Sequence, residues 1–414
     1  MTGRTRAEPG PADAAGVPES RAAAASETRA AAPRLRPAAV VAMVGAGQLA
    51  RMTQQAAVDL AVELRVLARS ADEPAVLAGA PATFGDPGDP AALQTVAAGA
   101  DVVTFDHELV PPGALRDLVA AGHRVHPGPD ALAAAQDKLH ARRLLGQAGF
   151  PVPAFCPVAG PEDVERFAAE HGWPVVLKAR SGGYDGRGVI VARHGGDLPE
   201  DLARRAADGG PTWLAEAHVE LAAELAVLVA RRPSGATVTY PVAQTTQVDG
   251  ICRHLVTPAG VADDLAWEAA ELAQRVVQHV GGTGVCAVEL FVGPAGRLLV
   301  NELALRPHNS GHATIEANAT SQFHQHLRAV LDWPLGPTEL RAPAAAMVNL
   351  IPGPGAGDPV ANLPAALEVP GAHVHLYAKA SRPGRKVGHV TALGASTTAA
   401  LDVAARTVDI LLQP

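Results

Sequence analysis

Glu289, Asn301 and Glu302 are the side chains of this sequence best suited to hold a hard cation. Asn301 and Glu302 close an apolar run, Gly296-Arg297-Leu298-Leu299-Val300, that reads as a strand. Glu289 belongs to the preceding run, Val285-Cys286-Ala287-Val288-Glu289-Leu290-Phe291, and a hairpin through Gly293-Pro294-Ala295-Gly296 brings it toward Glu302. Two carboxylates and an amide oxygen suit Mg²⁺, which takes its other ligands from phosphates. Just beyond lies Arg306-Pro307-His308-Asn309-Ser310-Gly311-His312, a loop too polar to be asked for by core packing.

Anion chemistry is concentrated elsewhere. Pro174-Val175-Val176-Leu177-Lys178-Ala179 sets a lysine in an apolar run, where an unpaired cation is costly, so Lys178 requires an anion. It leads into Ser181-Gly182-Gly183-Tyr184-Asp185-Gly186-Arg187-Gly188-Val189 and a strand to Ala192. Strand, glycine loop, strand is a flap that can fold over triphosphate oxygens and exclude water; a P-loop would need a helix and G-K-[ST]. Glu216 and Glu224 lie in two further strand-like runs, Trp213 to Val219 and Ala223 to Val229. Glu216 reads as a connector bearing backbone groups and Glu224 as an acceptor for ribose hydroxyls, or either as a solvated strand residue. Lys379, Arg382, Arg385 and Lys386 crowd around Pro383-Gly384, which makes an anion cradle between two strands or a solvated hairpin tip.

The elements that carry these groups begin at Ala38-Ala39-Val40-Val41-Ala42-Met43-Val44, a buried-strand pattern running into Gly45-Ala46-Gly47-Gln48-Leu49-Ala50 and an Ala-rich helix. Such a turn admits a phosphate at a helix N-terminus, or serves only tight packing; with Arg69 after the next strand (Leu64 to Ala68) it also fits an NADP site. A strand from Asp101 to Phe105 ends in Asp106-His107-Glu108, where ligands bind in open parallel sheets, and a helix follows over Pro112 to Ala121. One helix is expected from Asp130, as N-cap, to the stop at Gly149 and Pro151, with Lys138 along it.

The chain has 414 residues, room for about two to four domains at roughly 100 to 200 residues each. A net charge of −8 and 3% aromatics exclude a nucleic-acid surface, so the basic clusters serve small anions. Cys156, Cys252 and Cys286 are widely spaced and lack CxxC, against both a disulfide framework and a zinc site, and a reducing cytoplasm fits. No apolar run approaches the roughly 18 residues of a membrane span. Residues 1–36 lack a signal-peptide core, and their Ala, Pro, Arg and Glu content reads as a disordered tail.

Buried lysine, glycine-rich flap, hinge glutamate and paired Glu/Asn-Glu ligands, in this order, resemble an ATP-grasp carboxylate–amine ligase. Within that superfamily, Gly182 to Gly188, Arg306 to His312, Thr320-Ser321-Gln322-Phe323, Met347-Val348-Asn349-Leu350 and Lys379 to Val390 are similar to the purine-biosynthesis branch that carboxylates 5-aminoimidazole ribonucleotide. The resemblance runs from about Val40 to Leu393. It implies an α/β and α+β protein: a Rossmann-like pre-ATP-grasp domain over 37–135, an ATP-grasp domain over 136–340 and a small β-rich C-terminal domain over 341–414.

The resemblance also implies roles. Lys138 and Lys178 would contact ATP phosphates under the flap Gly183, Tyr184, Asp185, Gly186, Arg187, Gly188 and Val189; Glu216, Ala217, His218 and Val219 would hold adenine, and Glu224 the ribose. Glu289 and Glu302, with Asn301, would hold Mg²⁺. Aminoimidazole ribonucleotide would lie near Tyr184, Asp185 and Arg187, its phosphate on Lys379, Arg385 and Lys386, and bicarbonate by Arg306, His308, Asn309 and Ser310. The base for the substrate amine is Asp185 or His308; His308 has the better unperturbed pKa. Family precedent adds a homodimer. Relatives carry a histidine where Gln247 stands, which bears on one ATP contact, and glycine where Ala50 and Ala378 stand.

Overall fold

Short apolar runs, each followed by a helix or turn, build the first sheet of this computed structural model, which describes residues 37–182, 188–199, 202 and 212–414. β1 (Ala39–Val44), β2 (Val62–Ala68), β3 (Ala82–Phe84) and β4 (Val102–Phe105) pair in parallel in the order β3-β2-β1-β4. Val41, Met43 and Val66 enter one core while Ala42, Val44 and Leu67 enter another. Both faces are thus covered, and the strands read as continuous apolar runs, not alternating ones.

A second, antiparallel sheet of β5 (Phe155–Val158), β6 (Val175–Ala179), β7 (Val189–Ala192) and β8 (Trp213–Ala217) has the order β5-β8-β6-β7. Helix Pro161–His171 covers it through Val164 and Phe167, which meet Val175, Leu177 and Trp213.

The third sheet is the largest. β9 (Ala223–Arg231), β10 (Thr237–Thr239), β11 (Ala243–Val248), β12 (Ile251–Thr257), β13 (Gly284–Val292), β14 (Leu298–Ala304), β15 (Ala344–Leu350), β16 (Ala372–Leu376) and β17 (Gly388–Gly394) run in the order β14-β13-β9-β11-β12-β15-β17-β16, with β10 on β9. Helix Asp263–His279 buries Leu272, Val276 and Val277 against β9 and β13. The C-terminal strands continue the same sheet, because β15 pairs β12 from His254↔Val348 to Thr257↔Ala345. Helix Thr397–Leu411 covers this wing. His326 ties the first sheet to the third: one ring nitrogen lies 2.9 Å from Thr104 Oγ1 of β4, and the other accepts from the Val285 amide of β13 at 3.1 Å. Among the described residues no helix is long and apolar enough to cross a membrane.

The single helix expected from Asp130 is two. The first spans Pro129–Gln136 with Gly128 at its N-cap; Asp137 then leaves helical geometry and caps a second, Lys138–Gln147, by accepting from the amides of Leu139 and His140. A capping aspartate breaks the run although the apolar spacing continues across it. The break sets Lys138 in the first turn of its own helix, with Arg142 one turn later on the same face.

Candidate active site

Backbone register explains how Asn301 and Glu302 come to act together. β13 and β14 pair Glu289 with Glu302, then Leu290 with Val300, so Asn301 is the extra residue of a β-bulge. Asn301 and Glu302 are therefore inside β14, not at the end of the strand as its apolar run suggested. Lys138 Nζ bonds Glu302 Oε1, and Lys178 Nζ donates to Asn301 Oδ1 at 2.9 Å. Glu289 is pushed up to about 7 by burial and by the nearby carboxylates of Glu302 and Glu224. Crowded acids of this kind are what a divalent cation would relieve. Among the described residues no group of three or more His, Cys, Asp or Glu side chains is arranged for a metal. The set is two carboxylates and an amide, which fits an ion that takes its other ligands from phosphates and water.

Lys178 does have its anion, and it is internal. Glu216 Oε2 lies 2.7 Å from Lys178 Nζ, and Glu216 Oε1 lies 2.6 Å from Arg142 Nε, with both carboxylate and guanidinium almost wholly buried. Glu216 is therefore more than a connector bearing backbone groups. Burial would raise its carboxyl, but Arg142 and Lys178 outweigh burial and hold it below the ordinary value. Arg142 Nη2 also donates to the Asn301 carbonyl at 2.7 Å. Ala217 ends β8, and His218 beyond it is exposed while Val219 is half-buried. Glu224 is the second residue of β9; burial raises its pKa against a hydrogen bond from Gln247. Val189 begins β7 and Gly188 precedes it, whereas Gly183, Tyr184, Asp185, Gly186 and Arg187 lie outside the described residues.

The polar loop after β14 is held by neutral groups and one ion pair. Arg306 Nε donates to Glu108 Oε2 at 2.9 Å, which gives the acidic end of β4 a definite duty. The Gln322 amide closes the loop from beneath: Oε1 accepts from the His308 amide at 2.9 Å, while Nε2 donates to the His308 carbonyl at 2.8 Å and meets His312 Nδ1 at 3.1 Å. A Cβ on Gly311 would stand 2.3 Å from Gln322 Oε1, so only glycine admits this approach. His308 Nδ1 lies 2.9 Å from Ser310 Oγ, and the amides of Asn309 and Asn349 bond each other reciprocally at 2.8 Å. Burial, then the charges of Arg306 and Lys386, push His308 down to about 3. That removes the pKa advantage expected of it as a base. His308 Nε2 stands 3.8 Å from Glu289 Oε1, where the loop meets the carboxylate pair.

The cationic hairpin joins β16 to β17. Lys379 bonds Gln48 Oε1 of the glycine turn and lies 5.7 Å over the Tyr377 ring. Tyr377 Oη lies 2.8 Å from His389 Nδ1, and His389 stacks on His375 at 4.5 Å and lies tilted by 31° against His312 at 5.0 Å. Arg385 Nη1 donates to the Ala380 carbonyl at 3.2 Å, and Lys386 is close enough to act on Glu289, His308 and His312. Ala378 adopts φ 55°, a conformation that glycine takes without strain. The glycine turn is packed for a carboxylate: Asp106 Oδ2 accepts from the Gly47 amide at 2.6 Å, and a Cβ on Gly45 would stand 1.8 Å from Asp106 Oδ1. Arg69, the residue suited to a 2′-phosphate, instead faces Asp86 at 3.4 Å.

Sequence reasoning missed Arg142 and left Gln322 without a task. The spacing of Lys138 and Arg142 was the available signal for the first; Gln322 opens a helix that also carries His324, Gln325, His326 and Arg328, so nothing local marked it.

Residues 38–136 match the family model of the ribonucleotide synthetase preATP-grasp domain, residues 143–323 that of the ATP-grasp domain, and residues 345–402 that of the phosphoribosylaminoimidazole carboxylase C-terminal domain. N5-carboxyaminoimidazole ribonucleotide synthase of Mycobacterium tuberculosis is 50% identical over 364 residues, covering 86% of this chain and 84% of the relative. The solved N5-carboxyaminoimidazole ribonucleotide synthetase from Thermus thermophilus has a TM-score of 0.78 at 37% identity, covering 89% of this chain and 98% of the other. A synthase from Aspergillus clavatus in complex with ADP and 5-aminoimidazole ribonucleotide has a TM-score of 0.80 at 31% identity, covering 90% and 98%.

Proposed function

Because the chain belongs to the N5-carboxyaminoimidazole ribonucleotide synthase family of ATP-grasp ligases, we propose that its site couples ATP cleavage to carboxylation of 5-aminoimidazole ribonucleotide, forming a carbon–nitrogen bond in purine biosynthesis. The observation that carries this reading is the 3.8 Å approach of His308 to Glu289, which joins the cation and phosphate half of the site to the polar loop.

Bicarbonate is a poor electrophile, so it must be phosphorylated to carboxyphosphate before an amine can capture its carbon. Lys138 and Lys178 bind and orient the triphosphate, and Lys178 offsets charge spreading over the transferring γ-phosphoryl group. Glu289, Glu302 and Asn301 would hold Mg²⁺, which supplies charge neutralisation at the phosphates. Arg306 orients bicarbonate through paired N–H groups, a geometry that lysine cannot match. The loop from His308 to Ser310 confines that anion beside the carboxylate pair. Lys379, Arg385 and Lys386 take the ribonucleotide phosphate, and Tyr184, Asp185 and Arg187 its imidazole side. Asp185 is the preferred acceptor for the amine proton, since His308 at about 3 is a weak base. Glu216 to Val219 and Glu224 serve adenine and ribose.

The family resemblance also leads us to propose a homodimer in the cytoplasm, and three widely spaced cysteines without a CxxC pair are in keeping with a reducing compartment. Light scattering at about twice the chain mass would support the dimer; the mass of one chain would contradict it.

The test is incorporation of labelled bicarbonate into trapped product. ATP- and ribonucleotide-dependent incorporation supports the reading, and ADP release indifferent to the ribonucleotide contradicts it.

A further inference from the structure

Lys178 and Glu216 are both nearly buried and 2.7 Å apart, close enough to neutralise each other as a simple ion pair. A lysine satisfied in that way would have little reason to exchange its partner for a phosphate. Arg142 changes the balance. It takes the other oxygen of Glu216 at 2.6 Å, so two cations share one anion and the buried set carries a net charge of +1. Charge buried in excess is costly, and an arriving polyanion relieves the cost. Of the three Nζ donors of Lys178, one faces Glu216 and one Asn301 Oδ1, which leaves the ammonium a donor for a phosphate oxygen.

The second bond of Arg142 acts on the same centre from behind. Nη2 donates to the carbonyl of Asn301, the extra residue of the β14 bulge. Fixing that peptide fixes the side chain that receives Lys178 and the neighbour, Glu302, that receives Lys138. One planar guanidinium thus ties helix Lys138–Gln147, β8 and β14 together at the point where both lysines converge. Lysine at this position could supply the charge, but its single ammonium lacks the fork that reaches both acceptors in fixed directions.

We propose that Arg142 is a positioning residue for phosphoryl transfer: by sharing Glu216 and clamping the Asn301 bulge, it keeps Lys178 and Glu302 placed for the triphosphate. This inference rests on the ligase reading given above.

The test compares kcat, KM for ATP and melting temperature in the intact protein for wild type, Arg142→Lys, Arg142→Met and Arg142→Met/Glu216→Gln. Arg142→Lys is expected to melt near wild type, to lower kcat on the order of 10- to 100-fold and to leave KM for ATP within about threefold, since misplacement by about an ångström has that scale of effect. Arg142→Met leaves Lys178 and Glu216 to neutralise each other, whereas Arg142→Met/Glu216→Gln leaves Lys178 without its anion; kcat is expected to be low in both, and the double variant is expected to melt below the single one. Wild-type kcat in Arg142→Lys or in Arg142→Met would overturn the inference and assign Arg142 a packing role. Wild-type protein is assayed in parallel for turnover that needs both bicarbonate and ribonucleotide. Absence of that dependence would refute the ligase reading, whereas its presence with unchanged kcat in Arg142→Lys would refute this inference alone.

Discussion

Around Lys178 the buried partners are Arg142, Glu216 and the amide of Asn301, with Lys138 and Glu302 beside them; around His312 they are Gln322, Phe323, Tyr377 and His389. The first group consists chiefly of full charges. The second is neutral, because burial holds His312 and His389 well below the ordinary histidine value. Charged pairs can exchange partners when a polyanion arrives, as each lysine is offered a stronger acceptor than a protein carboxylate. Neutral hydrogen bonds and stacked rings hold one shape whether or not ligand is present, and their orphaned groups are costly. The charged half, proposed for the nucleotide, is thus built to respond, and the neutral half, proposed for bicarbonate, to stay in place.

The largest break in that contrast is Glu302→Ala. It removes the partner of Lys138 and the carboxylate proposed to hold Mg²⁺, so ADP formation should fall by at least about 10³-fold, the scale of losing several kcal/mol of charge stabilisation. A coupled ADP assay measures it, and a rise in KM alone would argue against a metal role. Gln322→Met should strike the neutral half selectively. Its loss leaves the His308 amide and carbonyl without partners, at about 1–3 kcal/mol each, and KM for bicarbonate should rise roughly tenfold or more while KM for ATP changes little. Titration of each substrate separates the two, and a matched rise in both KM values would contradict a local role. Lys386→Ala should mainly raise KM for the ribonucleotide, by about tenfold, the worth of one charged phosphate contact. If it lowered ATP affinity as much, the division of the site would fail.

Acid should expose the neutral half most gently. His326 is depressed to about 3 by burial, and burial also lowers His312 and His389, so their contribution is full above pH 6.5 and is lost as pH falls toward their folded values. Glu289 acts in the opposite sense. Raised from 4.5 to about 7, it favours the fold at low pH and loses that contribution as pH rises through 7. Melting temperature should therefore decline steadily below pH 6.5, and Glu289→Gln should steepen that decline by removing the compensating group. A flat profile between pH 5 and 7 in the variant would show that these histidines are not held neutral.

Much of this site was legible because its strands are apolar runs with turn residues between them: the hairpin that pairs Glu289 with Glu302 follows from Gly293 to Gly296, and the observed register agrees. The flanking geometry was less so. Asp137 splits a helix whose apolar pattern never lapses, since capping depends on one side chain and periodicity on many. Arg142 meets partners 74 and 159 residues away, and Gln322 reads as an unremarkable helical residue until the loop before it folds back over the helix. The pairing of β12 with β15, which makes the C-terminal strands part of the central sheet, likewise leaves no local mark. What depends on spacing along the chain can be read from it; buried polar partners depend on which elements meet.

The central claim is that the γ-phosphoryl group passes directly from the charged half to an anion held by the neutral half. The most direct test is turnover with ¹⁸O-labelled bicarbonate and 5-aminoimidazole ribonucleotide, followed by mass analysis of the released phosphate. Direct transfer predicts one bicarbonate oxygen in each phosphate formed. Phosphate free of label, with product still formed, would contradict it.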